Sequence, residues 1–243
     1  MAISIRLRDV LPLLAALVLV ALCFALPPIY ADESEPVTAE AETTRVLIID
    51  AGHGGEDGGA VTAGGVPESG INLAIAQKLE ALAGLCGVES VMTRESQDIS
   101  YPDSAATTAQ RKQADQRARI ELINAQSDAV LISIHQNFFP DKRPSGCQVL
   151  YGKPDGSREL GELTHKNLTE ALCPTSRRVA APISEDIYLM RSAKCTSILV
   201  ECGFLSNPSE AALLQTEDYQ LKISALLLAS YLQYEAGSDG MVL

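Results

Sequence analysis

The chain has 243 residues, 31 acidic against 19 basic, and a formal net charge of −12. That length allows one folded domain with appendages. An acidic chain with no tryptophan and no long basic run argues against nucleic acid as a partner.

Arg6 and Arg8 precede an apolar run from Val10 to Leu26, followed by Pro27-Pro28 and then Ala31. A basic start, an apolar middle and a small residue are the layout of a secretory signal, so residues 1–31 read as a signal peptide or membrane anchor. This segment is the expected contact with a membrane. Residues 32–44, DESEPVTAEAETT, hold five acidic residues, no basic ones and no apolar periodicity. They read as a disordered, solvated tether. The first segment carries +1 and the tether −5, which leaves −8 on the remainder. Residues 45–236 then form one folded domain that works outside the cytoplasm, and residues 237–243 a flexible tail.

Within the domain, apolar runs alternate with amphipathic stretches. Strands are expected at Arg45–Asp50, Glu89–Thr93, Ala129–Ile134, Gln148–Tyr151, Tyr188–Met190 and Ser197–Glu201. Helices are expected at Ile71–Ala83, Thr108–Gln126, Arg158–Leu172, Ser209–Leu214 and Asp218–Tyr234. Ile71, Ala74, Ile75, Leu79 and Leu82 repeat at helical spacing. Asn207-Pro208-Ser209-Glu210 offers an N-cap, a proline at N1 and a glutamate at N3. Strands rich in Ile, Val and Leu with intervening helices imply an α/β fold, its mostly parallel sheet covered on both faces. Ligands of such sheets gather at the carboxyl ends of the strands.

Three histidines are present: His53, His135 and His165. His53 follows the first strand in the glycine-rich AGHGGEDGGA, and His135 follows the third in AVLISIHQN. Two strand-end imidazoles converge if their strands are neighbours. Neutral imidazoles suit zinc, and a catalytic zinc usually takes three protein ligands. Glu56, at His-x-x-Glu spacing, and Glu68, at the head of the first helix, both qualify as the third, and spacing does not choose between them. Glu201 lies in TSILVECGFLSNP, where a buried carboxylate without a partner is costly. It is either paired to a lysine or arginine, or it carries a proton beside the metal. His165, mid-helix among polar neighbours, reads as solvated. Arg94 and Arg119 fit structural and functional roles equally. The five cysteines beyond the N-terminal segment, Cys86, Cys147, Cys173, Cys195 and Cys202, form no Cys-x-x-Cys pair and read mostly as small buried thiols. No Gly-x-Ser-x-Gly elbow and no P-loop is present.

Four stretches occur in order: IIDAGHGGEDGGA, ESGINLAIAQKL, RIELINAQSDAVLISIHQN and SILVECGFLSNPSEAALL. Together they resemble the zinc-dependent N-acetylmuramoyl-L-alanine amidases of the type 3 group, from Val46 to Tyr234. PSGCQVLY and RRVAAPISEDIYLMRSAKCTSILVECGF look most like the germination-specific amidases of spore-forming bacteria, which strip peptides from muramic acid in spore-cortex peptidoglycan. The resemblance implies a doubly wound, roughly six-stranded, mainly parallel sheet with helices on both faces. It puts zinc on His53, Glu68 and His135, a catalytic role on Glu201, and peptidoglycan in the site. The glycines around His53 would then admit a bulky glycan strand to the metal. Ala51 stands where many relatives have proline, and Gln136 where alanine is common. With no separate wall-binding repeat, targeting would rest on the N-terminal segment or on a partner, such as an activator protein. Two other readings stay open: a zinc carboxypeptidase acting on stem peptides through Glu56, and a wall-binding module without catalysis.

Overall fold

The computed structural model describes residues 45–239, with side chains described through residue 237. The expected signal at 1–31, the tether at 32–44 and the last four residues of the tail lie outside the described residues. Six strands form one sheet: β1 (Val46–Ala51), β2 (Ser90–Met92), β3 (Ala129–Asn137), β4 (Gln148–Tyr151), β5 (Ala181–Pro182) and β6 (Thr196–Phe204). Their spatial order is β2-β1-β3-β6-β4-β5. The pairs among β2, β1, β3 and β6 are parallel. β4 runs antiparallel to β6, and β5 runs parallel to β4. The sheet is therefore mostly parallel, with a reversed edge.

The apolar runs of β1, β3 and β6 look continuous because both faces are covered. Their residues still alternate. Leu47, Ile49, Val130, Ile132, Ile134, Ile198 and Val200 enter the larger core with helices α1 (Glu68–Leu85), α3 (Ser157–Leu172) and α6 (Glu217–Asp239). Ile48, Leu131 and Leu199 enter a smaller one against α2 (Thr108–Ala125) and α4 (Tyr188–Ser192). Fully burying such a side chain contributes about 1.5–3 kcal/mol, so these three strands anchor the fold. α2 buries only Arg119 and Ile123. It starts with a full capping box between Thr107 and Gln110. A short helix, α5 (Pro208–Leu214), starts at Asn207, whose side chain accepts from Ser209 N and Glu210 N as its N-cap.

Several expectations shift. Tyr188–Met190 is one helical turn instead of a strand, and its Leu189 and Met190 pack into the smaller core. Three apolar residues carry no period that separates a turn from a strand. The sixth strand is the two-residue β5, which contains a proline and so has no apolar signature. α6 runs to Asp239, into the stretch expected to be a flexible tail. His165 is 7% exposed rather than solvated, and its Nε2 lies 2.8 Å from the Arg178 carbonyl oxygen.

Candidate metal centre

β1 and β3 are adjacent and in register, which brings their carboxyl ends together. His53 lies two residues past β1, and His135 lies within the last turn of β3. Their rings sit 5.0 Å apart, nearly perpendicular. α1 starts at Glu68, and that position turns its carboxylate back under both rings. Glu68 Oε1 lies 3.4 Å from His53 Nε2 and 3.1 Å from His135 Nδ1. One ligand atom from each of these three residues lies within 4.8 Å of the others, so the group could hold a metal ion.

Each member is oriented by further contacts. Asp57 Oδ2 lies 3.0 Å from His53 Nδ1, and Lys112 Nζ lies 2.8 Å from the same oxygen. A proton held on Nδ1 by Asp57 leaves Nε2 free to act as a ligand. Glu68 accepts from the backbone N–H groups of Ala60 and Gln136 and from Asn72 Nδ2, at 2.9, 3.0 and 3.2 Å. Asn72 also donates to the Gly52 carbonyl at 3.1 Å and accepts from Gln136 Nε2 at 3.1 Å. These contacts suit a ligand set that must not move.

The electrostatics favour positive charge at the centre. Burial works against protonation of His53, but the flanking Asp57 and Glu68 outweigh it and raise it to about 9. Burial likewise opposes ionisation of Glu68, yet hydrogen bonds from His135 and His53 hold it well below the carboxylate range. A metal cation would compete with protons for the same atoms.

Glu201 stands opposite His135 in the β3–β6 register, so both side chains leave the same face of the sheet. No lysine or arginine pairs with it among the described residues. Its Oε2 is buried without a hydrogen-bond partner. Burial pushes its carboxyl up, Glu68 adds to that, and His135 and His53 oppose it. It shares a cavity of about 470 Å³ with His53, Glu68 and His135, whose rim includes Lys112, Asp186 and Tyr188. Of the two readings of this strand-end acid, the pairing to a lysine or arginine is not found among the described residues.

Glu56 is elsewhere. It pairs with Arg111 and accepts from Thr108 Oγ1 at 3.1 Å, on the surface beside α2. The structure does not bring Glu56 to the two histidines, because the chain turns away after His53. His53 has φ of 61°, and Gly54 and Gly55 follow at 131° and 56°. Three successive positive φ values are affordable only in such a glycine-rich loop.

Some of the glycines make room for neighbouring side chains of the site. A Cβ at Gly52 would overlap the His135 imidazole, and one at Gly59 would come within 2.6 Å of Glu68 Oε2. Arg94 and Arg119 are structural supports. Arg119 Nη1 donates to Asp50 Oδ1 and the Ala51 carbonyl at 2.9 and 2.7 Å, and its Nη2 to the His53 carbonyl at 2.6 Å. Arg94 donates to the carbonyls of Ala51, Gly52 and Ser69. Asp57 and Asn72 were not singled out from the sequence. The His53–Asp57 spacing of four was a signal for the first, but it required the loop geometry to be read.

The chain is similar to known proteins over most of its described length. The sequence profile of the N-acetylmuramoyl-L-alanine amidase family matches residues 47–230. The germination-specific N-acetylmuramoyl-L-alanine amidase of Bacillus subtilis is 36% identical over 191 residues, 78% of this chain and 79% of that protein. The amidase LytC of the same organism is 27% identical over 72% of this chain and 32% of its own length. Among solved structures, the CwlD amidase of Clostridioides difficile, in complex with the GerS lipoprotein, superposes with a TM-score of 0.76 at 34% identity. That match covers 80% of this chain and 100% of the other. A family profile over most of the described residues, a close relative of like length and a shared fold lead to one conclusion: the chain belongs to the N-acetylmuramoyl-L-alanine amidase family and is an enzyme of that activity.

Proposed function

We propose that this amidase is a zinc hydrolase that removes stem peptides from muramic acid in spore-cortex peptidoglycan, with His53, Glu68 and His135 as ligands and Glu201 as proton carrier. The carrying observation is the donor set: two imidazole nitrogens and one carboxylate oxygen within 4.8 Å, facing a cavity that also takes in Glu201, whose buried Oε2 has no hydrogen-bond partner. Two imidazoles, one carboxylate and an open side match the pattern of a catalytic zinc. Zinc there would supply a Lewis acid to polarise the lactyl carbonyl and make water more acidic.

The chain's own residues account for the rest. Asp57 holds His53 in the tautomer that presents Nε2. Asn72 and the Gln136 backbone hold Glu68. Glu201, kept basic enough by its site yet unpaired, takes a proton from the attacking water as the C–O bond forms. It delivers a proton to the L-alanine nitrogen as the C–N bond breaks, leaving a lactyl carboxylic acid and a free amino terminus.

The cortex assignment draws on the germination-specific relative. The extracytoplasmic location draws on the basic-apolar N-terminal segment, followed by an acidic tether before the domain at 45–236. The relative crystallised with a lipoprotein supports an envelope protein as partner here too.

Purified chain is incubated with muropeptides while zinc content is measured, for the parent, Glu68→Ala and Glu56→Ala. The expected products are intact stem peptides with free L-alanine amino ends, with zinc and activity lost in Glu68→Ala and retained in Glu56→Ala. If Glu56→Ala empties the site instead, the ligand assignment is wrong. Spores lacking the chain should keep peptides on their cortex muramic acid, and an unchanged cortex would refute that substrate.

A further inference from the structure

Away from the metal centre, two thiols face each other. Cys147 lies just before β4, and Cys173 caps the end of α3. Their Sγ atoms are 3.2 Å apart, and both thiols are free. They are 26 positions apart in sequence, so their meeting is a property of the fold. We propose that Cys147 and Cys173 form a disulfide in the working enzyme, stapling the end of α3 to the strand beside the catalytic edge.

Geometry supports it first. A disulfide needs sulfurs about 2.0 Å apart, so closing the gap takes about 1 Å of side-chain movement. The backbones around the pair already approach closely. Gly146 has φ of 90°, and a Cβ there would lie 2.9 Å from Ser176 Oγ and 3.6 Å from Cys173 Sγ. Arg178 donates to the Ser145 carbonyl at 3.2 Å and to Gln148 Oε1 at 3.0 Å. The segment 173–178 is thus already tied to 145–148 by polar contacts on both sides of the pair.

The chemistry is asymmetric in the right sense. The hydrogen bond from Cys147 lowers the Cys173 thiol to about 7. The same contact, then burial, raises Cys147 far above the thiol range. Cys173 is half-buried and Cys147 is 2% exposed. Cys173 is therefore the accessible nucleophile and Cys147 the resolving thiol. The oxidant is a disulfide, either of an extracytoplasmic thiol–disulfide oxidoreductase or of a small molecule. The Cys173 thiolate attacks it, forming a mixed disulfide and expelling one thiol. Cys147 loses its proton and displaces the second thiol, closing the Cys147–Cys173 bond. Two protein thiols are oxidised and one disulfide is reduced to two thiols.

The location gives the link its consequence. Gln148, next to Cys147, pairs with Glu201 across the β4–β6 ladder. Glu210 accepts from both Gly146 N and Phe204 N, at 2.7 and 2.9 Å. The staple therefore closes a ring of contacts around the reversed edge of the sheet. This inference rests on the extracytoplasmic reading for its natural oxidant, but its test uses neither substrate nor metal.

The full chain is equilibrated with oxidised and reduced glutathione, quenched with an alkylating agent and digested without reduction. A peptide linking Cys147 to Cys173 is expected, with Cys86, Cys195 and Cys202 alkylated. Closing a loop of this length should raise the melting temperature by about 5–10 °C over the chain reduced with a phosphine. Cys173→Ser should remove that difference, and Cys86→Ser, which loses an exposed thiol, should keep it. Full alkylation of Cys147 and Cys173, or a link from Cys147 to Cys202 instead, overturns the proposal. So does a reductant-dependent shift that survives in Cys173→Ser, and the linkage map of the unaltered chain decides even if that variant folds poorly.

Discussion

Glu201→Gln separates chemistry from structure in this site. The parent carboxylate has no cation against it, and its Oε2 has no hydrogen-bond partner. Replacing it with the isosteric amide breaks no ion pair and deletes a buried group whose charge its surroundings disfavour. Stability should stay within about 1 kcal/mol of the parent, or a few degrees in melting temperature for a domain of this size. The ligand contacts among His53, Glu68 and His135 do not involve Glu201, so zinc should remain. A proton carrier acts in the transition state, and such groups typically contribute about 10²–10⁴ in rate. Turnover should therefore fall by about 100-fold or more, equivalent to roughly 2.7 kcal/mol of barrier, while KM changes little. The assay is the initial rate of amino-terminus release from muropeptides, with zinc content and a thermal melt on the same preparation. His135→Ala supplies the contrast, because it should lose zinc and rate together. Near-parental activity in Glu201→Gln, or zinc loss as complete as in His135→Ala, would refute the assignment.

Gly52→Ala should displace the His135 ring, because its Cβ overlaps that imidazole. Zinc affinity should fall at least about tenfold with the fold intact by circular dichroism, and unchanged affinity would show that His135 has room to move. Asp50 predicts an acid limb of stability: burial opposes its charge, but Arg119, Ser133 and Thr93 outweigh that and hold it at about 2. Its folded pKa is depressed, so the stabilisation is present above about pH 4 and lost as pH falls towards 2. The amount is about 2 kcal/mol, and urea titrations of Asp50→Asn should lack that part of the acid dependence.

The chemistry-bearing residues were legible because polar side chains interrupted patterns that otherwise decide themselves. β1, β3 and β6 are apolar runs, and an imidazole or carboxylate at their ends has no packing reason to be there. The same patterns mislead where tertiary context decides. β3 and β6 continue through His135 and Glu201 to Asn137 and Phe204, so these two residues lie within strand ends, whereas His53 lies past the end of β1. Tyr188–Met190 has strand composition and helical geometry because the smaller core needs Leu189 and Met190 on one turn. His165 sits among polar neighbours along the chain yet is buried in space. The choice between Glu56 and Glu68 was out of reach of spacing, since it depends on three positive φ values in succession.

The same loop accounts for two buried arginines beside the proposed metal centre. Residues 51–59 contribute few side chains, so apolar packing cannot fix where His53 points. The carbonyls of Ala51, Gly52 and His53 instead turn inward to Arg94 and Arg119. Charge-assisted hydrogen bonds of this kind are about twice as strong as neutral ones, and six of them converge on the carbonyls of residues 51–53 and 69 and on Asp50. Burying those guanidiniums is costly unless every donor is used. Asp50 and Asp115 offset the charge of Arg119 at 2.9 and 3.0 Å, whereas Arg94 hydrogen-bonds only carbonyls, and burial and repulsion from Arg119 lower it to about 10 against the pull of Asp50 and Asp115. With the carbonyls engaged from below, the His53 ring is left to face Asp57 and Glu68 from above. The positive groups thereby hold the loop without entering the proposed ligand set of His53, Glu68 and His135.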